Sequence, residues 1–249
     1  MLEIKNLSVK QKGIPVLENI SFRLRPHRFT ALLGLNGTGK STLISCINQQ
    51  LPYVGSIAFS DRDLTFMNPK ERAMHLAVLP QLLTSPPYTV EELVAFGRHP
   101  YLDFTGRLRD TDKKAIEDCL ELTGANAFRL KRADQSSGGE RQLAYLSMIL
   151  AQDARVLILD EPTTFMDMER ELQFFELITD VKTKRKKTLL VAMHNLNLAV
   201  RYADDILILD DQQIRFFGDT QECLSQQIIE QVFHVTAHST TDGRIFFEP

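Results

Sequence analysis

Between the apolar run Phe29–Leu33 and the helix-forming stretch Lys40–Gln49 lies Gly34-Leu35-Asn36-Gly37-Thr38-Gly39-Lys40-Ser41-Thr42, which fits G-x-x-x-x-G-K-[ST]. A strand, a glycine-rich turn and a helix in that order constrain the fold more than any other feature of the chain. The glycines let successive backbone N–H groups curl around phosphate oxygens, and the following helix turns its positive N-terminus towards them. Lys40 is placed to reach the β- and γ-phosphates of a nucleoside triphosphate, and the Ser41 hydroxyl to hold Mg²⁺. The motif therefore predicts a triphosphate cradle running from Gly34 to Thr42 inside an α/β chain.

The rest of the sequence agrees with such a chain. Strand and helix signals alternate, the pattern of a mainly parallel sheet covered by helices. Arg155–Asp160 and Thr188–Met193 are continuous apolar runs of strand length, as expected where both sheet faces are buried. Met1 to about Leu24 alternates in short strands and predicts an antiparallel β flank. Ile206–Leu209 and Gln213–Phe217 predict a hairpin. From about Thr84 to Asp153 helix signals dominate: Thr89-Val-Glu-Glu92 is a capping box, and Asp110–Thr123 is an amphipathic helix stopped by Gly124. This stretch, about 84–153, is expected to be a helical subdomain inserted in a single domain spanning 1–249. With 249 residues, 43% hydrophobic and 24% charged, the chain can bury a sizeable core. Its net charge of −3 lacks the basic excess of a dedicated nucleic-acid binder. No apolar stretch is long enough to cross a bilayer, and a start without an apolar core predicts that no secretory signal is used. Cys46, Cys119 and Cys223 are odd in number and widely spaced, which predicts a reducing compartment without disulfides or a zinc site. The basic run Lys182, Lys184, Arg185, Lys186, Lys187 reads as a solvated helix end, with contact to anionic lipid as the alternative.

Downstream, Val156-Leu-Ile-Leu-Asp160-Glu161 is an apolar strand ending in two adjacent carboxylates. Successive side chains on a strand diverge, so the two acids are expected to do two jobs. Asp160 fits support of Mg²⁺ through its bound water. Glu161 fits the general base that polarises an attacking water.

Ser136-Ser137-Gly138-Gly139-Glu140-Arg141-Gln142 opens a predicted helix. Ser137, two glycines and a helix N-terminus make a second anion site. In order with the other motifs, this segment resembles the signature motif, normally Leu-Ser-Gly-Gly-Gln, of ATP-binding cassette (ABC) ATPases. The resemblance runs along nearly the whole chain and implies the α/β P-loop fold of these ATPases, with ATP and Mg²⁺ as its ligands. By this resemblance Gln81, after the strand Leu76–Leu79, is the Q-loop glutamine that senses Mg²⁺ and the γ-phosphate. Asp167 is the D-loop aspartate at a dimer interface, and His194 is the switch histidine that contacts the γ-phosphate.

The family resemblance also implies partners. Each ATP is sandwiched between the P-loop of one cassette and the signature of another, so the chain is expected to form a head-to-tail homodimer. Separate integral-membrane permease subunits are expected, with a substrate-binding protein acting indirectly and no nucleic acid. The site of action is then the cytoplasm, peripheral on the inner face of the cell membrane. The stretch Tyr88-Thr-Val-Glu-Glu-Leu-Val-Ala-Phe-Gly-Arg-His-Pro-Tyr-Leu102 resembles importers for ferric siderophores, haem and cobalamin, so import of a metal chelate is the expected function. A non-transport relative, such as an iron–sulfur assembly ATPase, is the alternative. A cassette acting on DNA or ribosomes is disfavoured, because neither a coiled-coil insertion nor a second cassette is present. A GTPase is disfavoured because no Asn-Lys-x-Asp occurs. Three positions depart from the pattern. Gln11 stands where an aromatic normally stacks on adenine, Ser136 replaces a leading Leu used for packing, and Glu140 replaces Gln.

Overall fold

The computed structural model describes residues 1–164, 166–239 and 245–248. They divide into two compact units, Met1–Met67 with Lys182–Pro249, and Asn68–Val181.

The first unit starts with the antiparallel strands β1 (Leu2–Gln11) and β2 (Ile14–Arg23). They are single ten-residue strands, longer than the short strands expected from the alternation. Irregularities between Ile4 and Leu7 and between Leu7 and Val9, with Asn6 at φ 50, break the period of two and make each strand read as fragments. Leu2, Ile4, Leu7, Leu17 and Ile20 are buried along them. The chain continues through β3 (Phe29–Leu33), α1 (Lys40–Ile47), β4 (Val54–Phe59) and the two-residue β5 (Arg62–Asp63), with β4 and β5 extending the antiparallel flank beside β1.

The second unit contains α2 (Pro69–His75), β6 (Leu76–Leu79), α3 (Val90–Ala95), α4 (Asp110–Thr123), α5 (Gly138–Ala151), β7 (Val156–Asp160) and α6 (Met168–Lys184) up to Val181. β6 and β7 pair in parallel, and α3, α4 and α5 pack on one another. The α4 boundaries are those read from the sequence, with Gly124 at φ 74 as its left-handed cap. The Thr89 box is also present: its hydroxyl accepts from Glu92 N, and Glu92 Oε2 accepts from Thr89 N at 2.8 Å.

The chain returns to the first unit with β8 (Thr188–Ala192), α7 (Leu196–Tyr202), β9 (Asp205–Asp210), β10 (Gln213–Asp219), α8 (Thr220–Ser225), α9 (Ile228–Phe233), β11 (Thr236–Ser239) and β12 (Ile245–Glu248). β3 lies between β8 and β9 and is parallel to both, while β9 and β10 form the expected antiparallel hairpin. All residues of β3 and β8 are buried, as a sheet covered on both faces requires. The basic run is only partly solvated. Lys182 Nζ donates to Asp204 Oδ2 at 2.8 Å and Lys187 is buried, which leaves Lys184 and Lys186 as its exposed members. Among the described residues no helix is long and apolar enough to cross a membrane.

Candidate nucleotide site

Strand register decides which candidate residues meet. In the first unit Leu32 of β3 lies opposite Ala192 of β8, and Met193 N donates to Leu32 O at 3.1 Å. Because the strands are parallel, both leave the sheet at their carboxyl ends, where open α/β sheets bind ligands. One continues into Gly34–Thr42, the other into the exposed His194. His194 is followed by Asn195, whose side chain accepts from Leu198 N at 3.2 Å and so starts α7.

The cradle is held by its own bonds. Thr38 Oγ1 donates to Leu35 O at 2.9 Å and closes the turn. Lys40 Nζ, almost wholly buried, donates to Gly34 O at 2.8 Å and Leu35 O at 3.2 Å, which keeps the ammonium inside the loop. Gly39 caps α1 at φ 98, and a Cβ there would lie 2.7 Å from Leu17 Cδ2, so the β2 side chain and the left-handed backbone both require glycine. Leu35, Asn36, Gly37 and Ser41 are exposed, which leaves the loop's outer face and the Ser41 hydroxyl open to a ligand. Gln11 Nε2 lies 3.4 Å from Thr42 Oγ1, so the β1–β2 hairpin tip stands beside the first turn of α1.

In the second unit Leu79 of β6 lies opposite Leu159 of β7. Gln81 and Glu161 each stand two residues beyond that pair, and they meet: Gln81 Nε2 donates to Glu161 Oε2 at 2.6 Å. Glu161 has φ 48, an uncommon backbone for a non-glycine residue that turns the chain sharply at the strand end. Thr164 Oγ1 donates to Glu161 O at 3.0 Å and secures the turn. Asp160, one residue earlier, is buried at 6% exposure, so the adjacent carboxylates differ in environment. The bond between Gln81 and Glu161 escaped the sequence reading, because register between strands eighty residues apart leaves no local signal.

The Ser136 segment opens α5. Ser137 Oγ accepts from Glu140 N at 3.3 Å, and Glu140 Oε2 accepts from Ser137 N at 2.8 Å and from Lys131 Nζ at 2.7 Å. These bonds hold the Glu140 carboxyl below the usual Glu range, the Lys131 ammonium contributing most. Ser137 and Gly138 are exposed at the helix N-terminus, while Gly139 is buried. Ser136 is buried and its hydroxyl donates to Arg132 O at 3.0 Å, so a hydrogen bond takes the place of the apolar anchor that a leucine would provide. Asp167 precedes α6, and its Oδ1 accepts from Arg170 N at 2.9 Å. Ser41 in the first unit, and Gln81 and Asp160 in the second, each carry an oxygen of the hard type Mg²⁺ prefers. No group of three or more His, Cys, Asp or Glu that could hold a metal by itself occurs among the described residues.

The ABC transporter family matches residues 17–164. The petrobactin import ATP-binding protein FpuD of Bacillus anthracis is 32% identical over 243 residues, covering 97% of this chain and 89% of that protein. The iron(3+)-hydroxamate import ATP-binding protein FhuC of Bacillus subtilis (strain 168) is 32% identical over 248 residues, 97% and 92% of the two chains. A dimeric bacterial ABC transporter cassette has the same fold, with a TM-score of 0.78 at 21% identity over 88% of this chain and 99% of the other. The chain thus belongs to the ABC transporter family, and within it to the ATP-binding proteins that hydrolyse ATP.

Proposed function

We propose that the chain is the ATP-hydrolysing subunit of a membrane importer for a ferric siderophore or a related metal chelate. The observation that carries this reading is the likeness, over 97% of the chain, to proteins named for petrobactin and iron(3+)-hydroxamate import. Lys40 and the backbone of Gly34–Thr42 bind the triphosphate, and His194 contacts its γ-phosphate. Ser41, Gln81 and Asp160 would hold Mg²⁺, which would neutralise phosphate charge. Glu161 accepts the proton of a water that adds to the γ-phosphorus. The bond from that phosphorus to the bridging oxygen breaks, and ADP and inorganic phosphate leave.

Two copies act together: Ser137, Gly138, Gly139 and Asp167 of one complete the nucleotide site of the other. The dimeric cassette of like fold supports this pairing. The helical stretch 84–153 meets the permease at the inner face of the membrane, and a substrate-binding protein delivers the chelate from the far side.

Glu161→Gln separates binding from turnover. It is expected to bind ATP, hydrolyse it very slowly and accumulate a dimer seen by size-exclusion chromatography; near-normal turnover would remove Glu161 as the base. In cells, deletion of the chain should abolish uptake of radiolabelled ferric hydroxamate, petrobactin or a like chelate. The wild-type chain should restore uptake and the Gln variant should not. Unchanged uptake of every chelate tried would overturn the cargo assignment.

A further inference from the structure

The first turns of α5 and α6 border a cavity of about 640 Å³, which Leu143, Phe174 and Leu177 also line. The side of α5 that carries Gly139 therefore faces this cavity, and the Ser137–Glu140 bonds are local to the turn itself. Arg170, in the first turn of α6, lines the same cavity, and its guanidinium end stands beside Gly139. A Cβ built on Gly139 would lie 2.9 Å from Arg170 Nη1 and 4.0 Å from its Cδ, with no other atom outside the local backbone within 4 Å. At its other edge the guanidinium Nε stands 3.6 Å from Asp167 Oδ2, while the Arg170 main-chain N donates to Asp167 Oδ1 at 2.9 Å. Neither Nη donates a hydrogen bond among the described residues, so the approach to Gly139 is one of shape: a planar group standing in the space that a side chain at 139 would fill.

We propose that Arg170 is a positioning residue that braces the Ser137–Gly139 turn against the start of α6, so that this turn and Asp167 meet a second copy of the chain as one body. The role rests on the pairing of two copies proposed above. A Cβ at position 139 would displace the guanidinium, the far end of a flexible side chain, and so loosen the brace without barring the residue from the fold. The turn borders a cavity, where missing partner atoms forfeit contact energy, so the brace replaces packing that a filled interface would supply.

Hydrogen exchange on the nucleotide-free full chain tests the brace without any dimer. Arg170→Ala should speed exchange about tenfold in peptides covering both 137–142 and 167–171, the size of effect expected for residues coupled in contact. Arg170→Lys keeps a charge near Asp167 but loses the planar fork. It should spare 167–171 while still loosening 137–142. Faster exchange confined to 167–171 in the Ala variant would overturn the proposal, because Arg170 would then serve only its own helix. In steady-state hydrolysis the Ala variant should lose kcat with KM for ATP unchanged; a change in KM alone would also count against it. In the Glu161→Gln background, ATP should drive the parent to dimer and the Arg170→Ala form less readily. A parent that stays monomeric would sink the pairing of copies, and the exchange result would still judge the brace.

Discussion

Gln11 ends β1 beside a tight turn in which Lys12 and Gly13 both have positive φ, and its amide lies next to Thr42 at the start of α1. By the family resemblance, a base attached to phosphates in the cradle is expected to extend towards this tip, where it would meet an amide instead of a ring. Base–aromatic stacking contributes about 1–3 kcal/mol. The wild-type chain is therefore expected to show a comparatively high KM for ATP and measurable GTP hydrolysis. Gln11→Tyr should lower KM for ATP with little change in kcat, the mark of binding added equally to ground and transition states. Steady-state kinetics with ATP and GTP on both forms measure it, and an unchanged ATP KM would show that another group holds the base. At this scale the cradle from Gly34 to Thr42 was legible because its chemistry sits in nine consecutive residues. Asp160 and Glu161 were legible as a pair at a strand end. The hydrogen bond from Gln81 to Glu161 was not, since it depends on how β6 and β7 register.

Elements whose signals are local were read with their true limits, as α4 and the Thr89 box show; β1 and β2 were not, because bulges hid their period. The segment Tyr88–Leu102, read for its resemblance to chelate importers, also has an internal structural job. A Cβ on Gly97 would lie 2.2 Å from Met148 O, and the buried Arg98 donates to Asp112 Oδ1 at 2.9 Å and to Ala151 O at 2.7 Å. Arg98 also lies over the Tyr101 ring at 3.9 Å, and Tyr101 Oη donates to Gln152 O. The segment thus fastens the end of α5 to α4. At the other end of α5, the Glu140 carboxyl is held below its ordinary value by Lys131 first and the Ser137 N–H second. A depressed carboxyl stabilises the fold above the ordinary Glu range and ceases to do so as pH falls through its lowered value. Melting temperature should therefore fall on acidification through and below the usual Glu range, and Glu140→Gln, which cannot titrate, should lose less over that interval. Parallel pH profiles for the two proteins would exclude the cap as the source.

The molecule as a whole is written in an order that differs from its packing. The unit Asn68–Val181 is continuous in the chain, whereas the other is assembled from Met1–Met67 and Lys182–Pro249. β3, which leads into the phosphate cradle, is flanked by β8 and β9, both encoded after residue 187. Its first residue is anchored there too, for Phe29 N donates to Asp204 Oδ2 at 2.7 Å. During synthesis domains fold as units, and contacts distant in sequence form late. Chains arrested on the ribosome after the full second unit has emerged should yield a protease-resistant fragment near Asn68–Val181, while Met1–Met67 is still cut; equal protection of both would contradict this order. The earliest motif in the sequence is thus the last to be completed. A half-made chain carries every residue of the phosphate loop yet has no neighbouring strands to hold it, so ATP can reward only finished molecules.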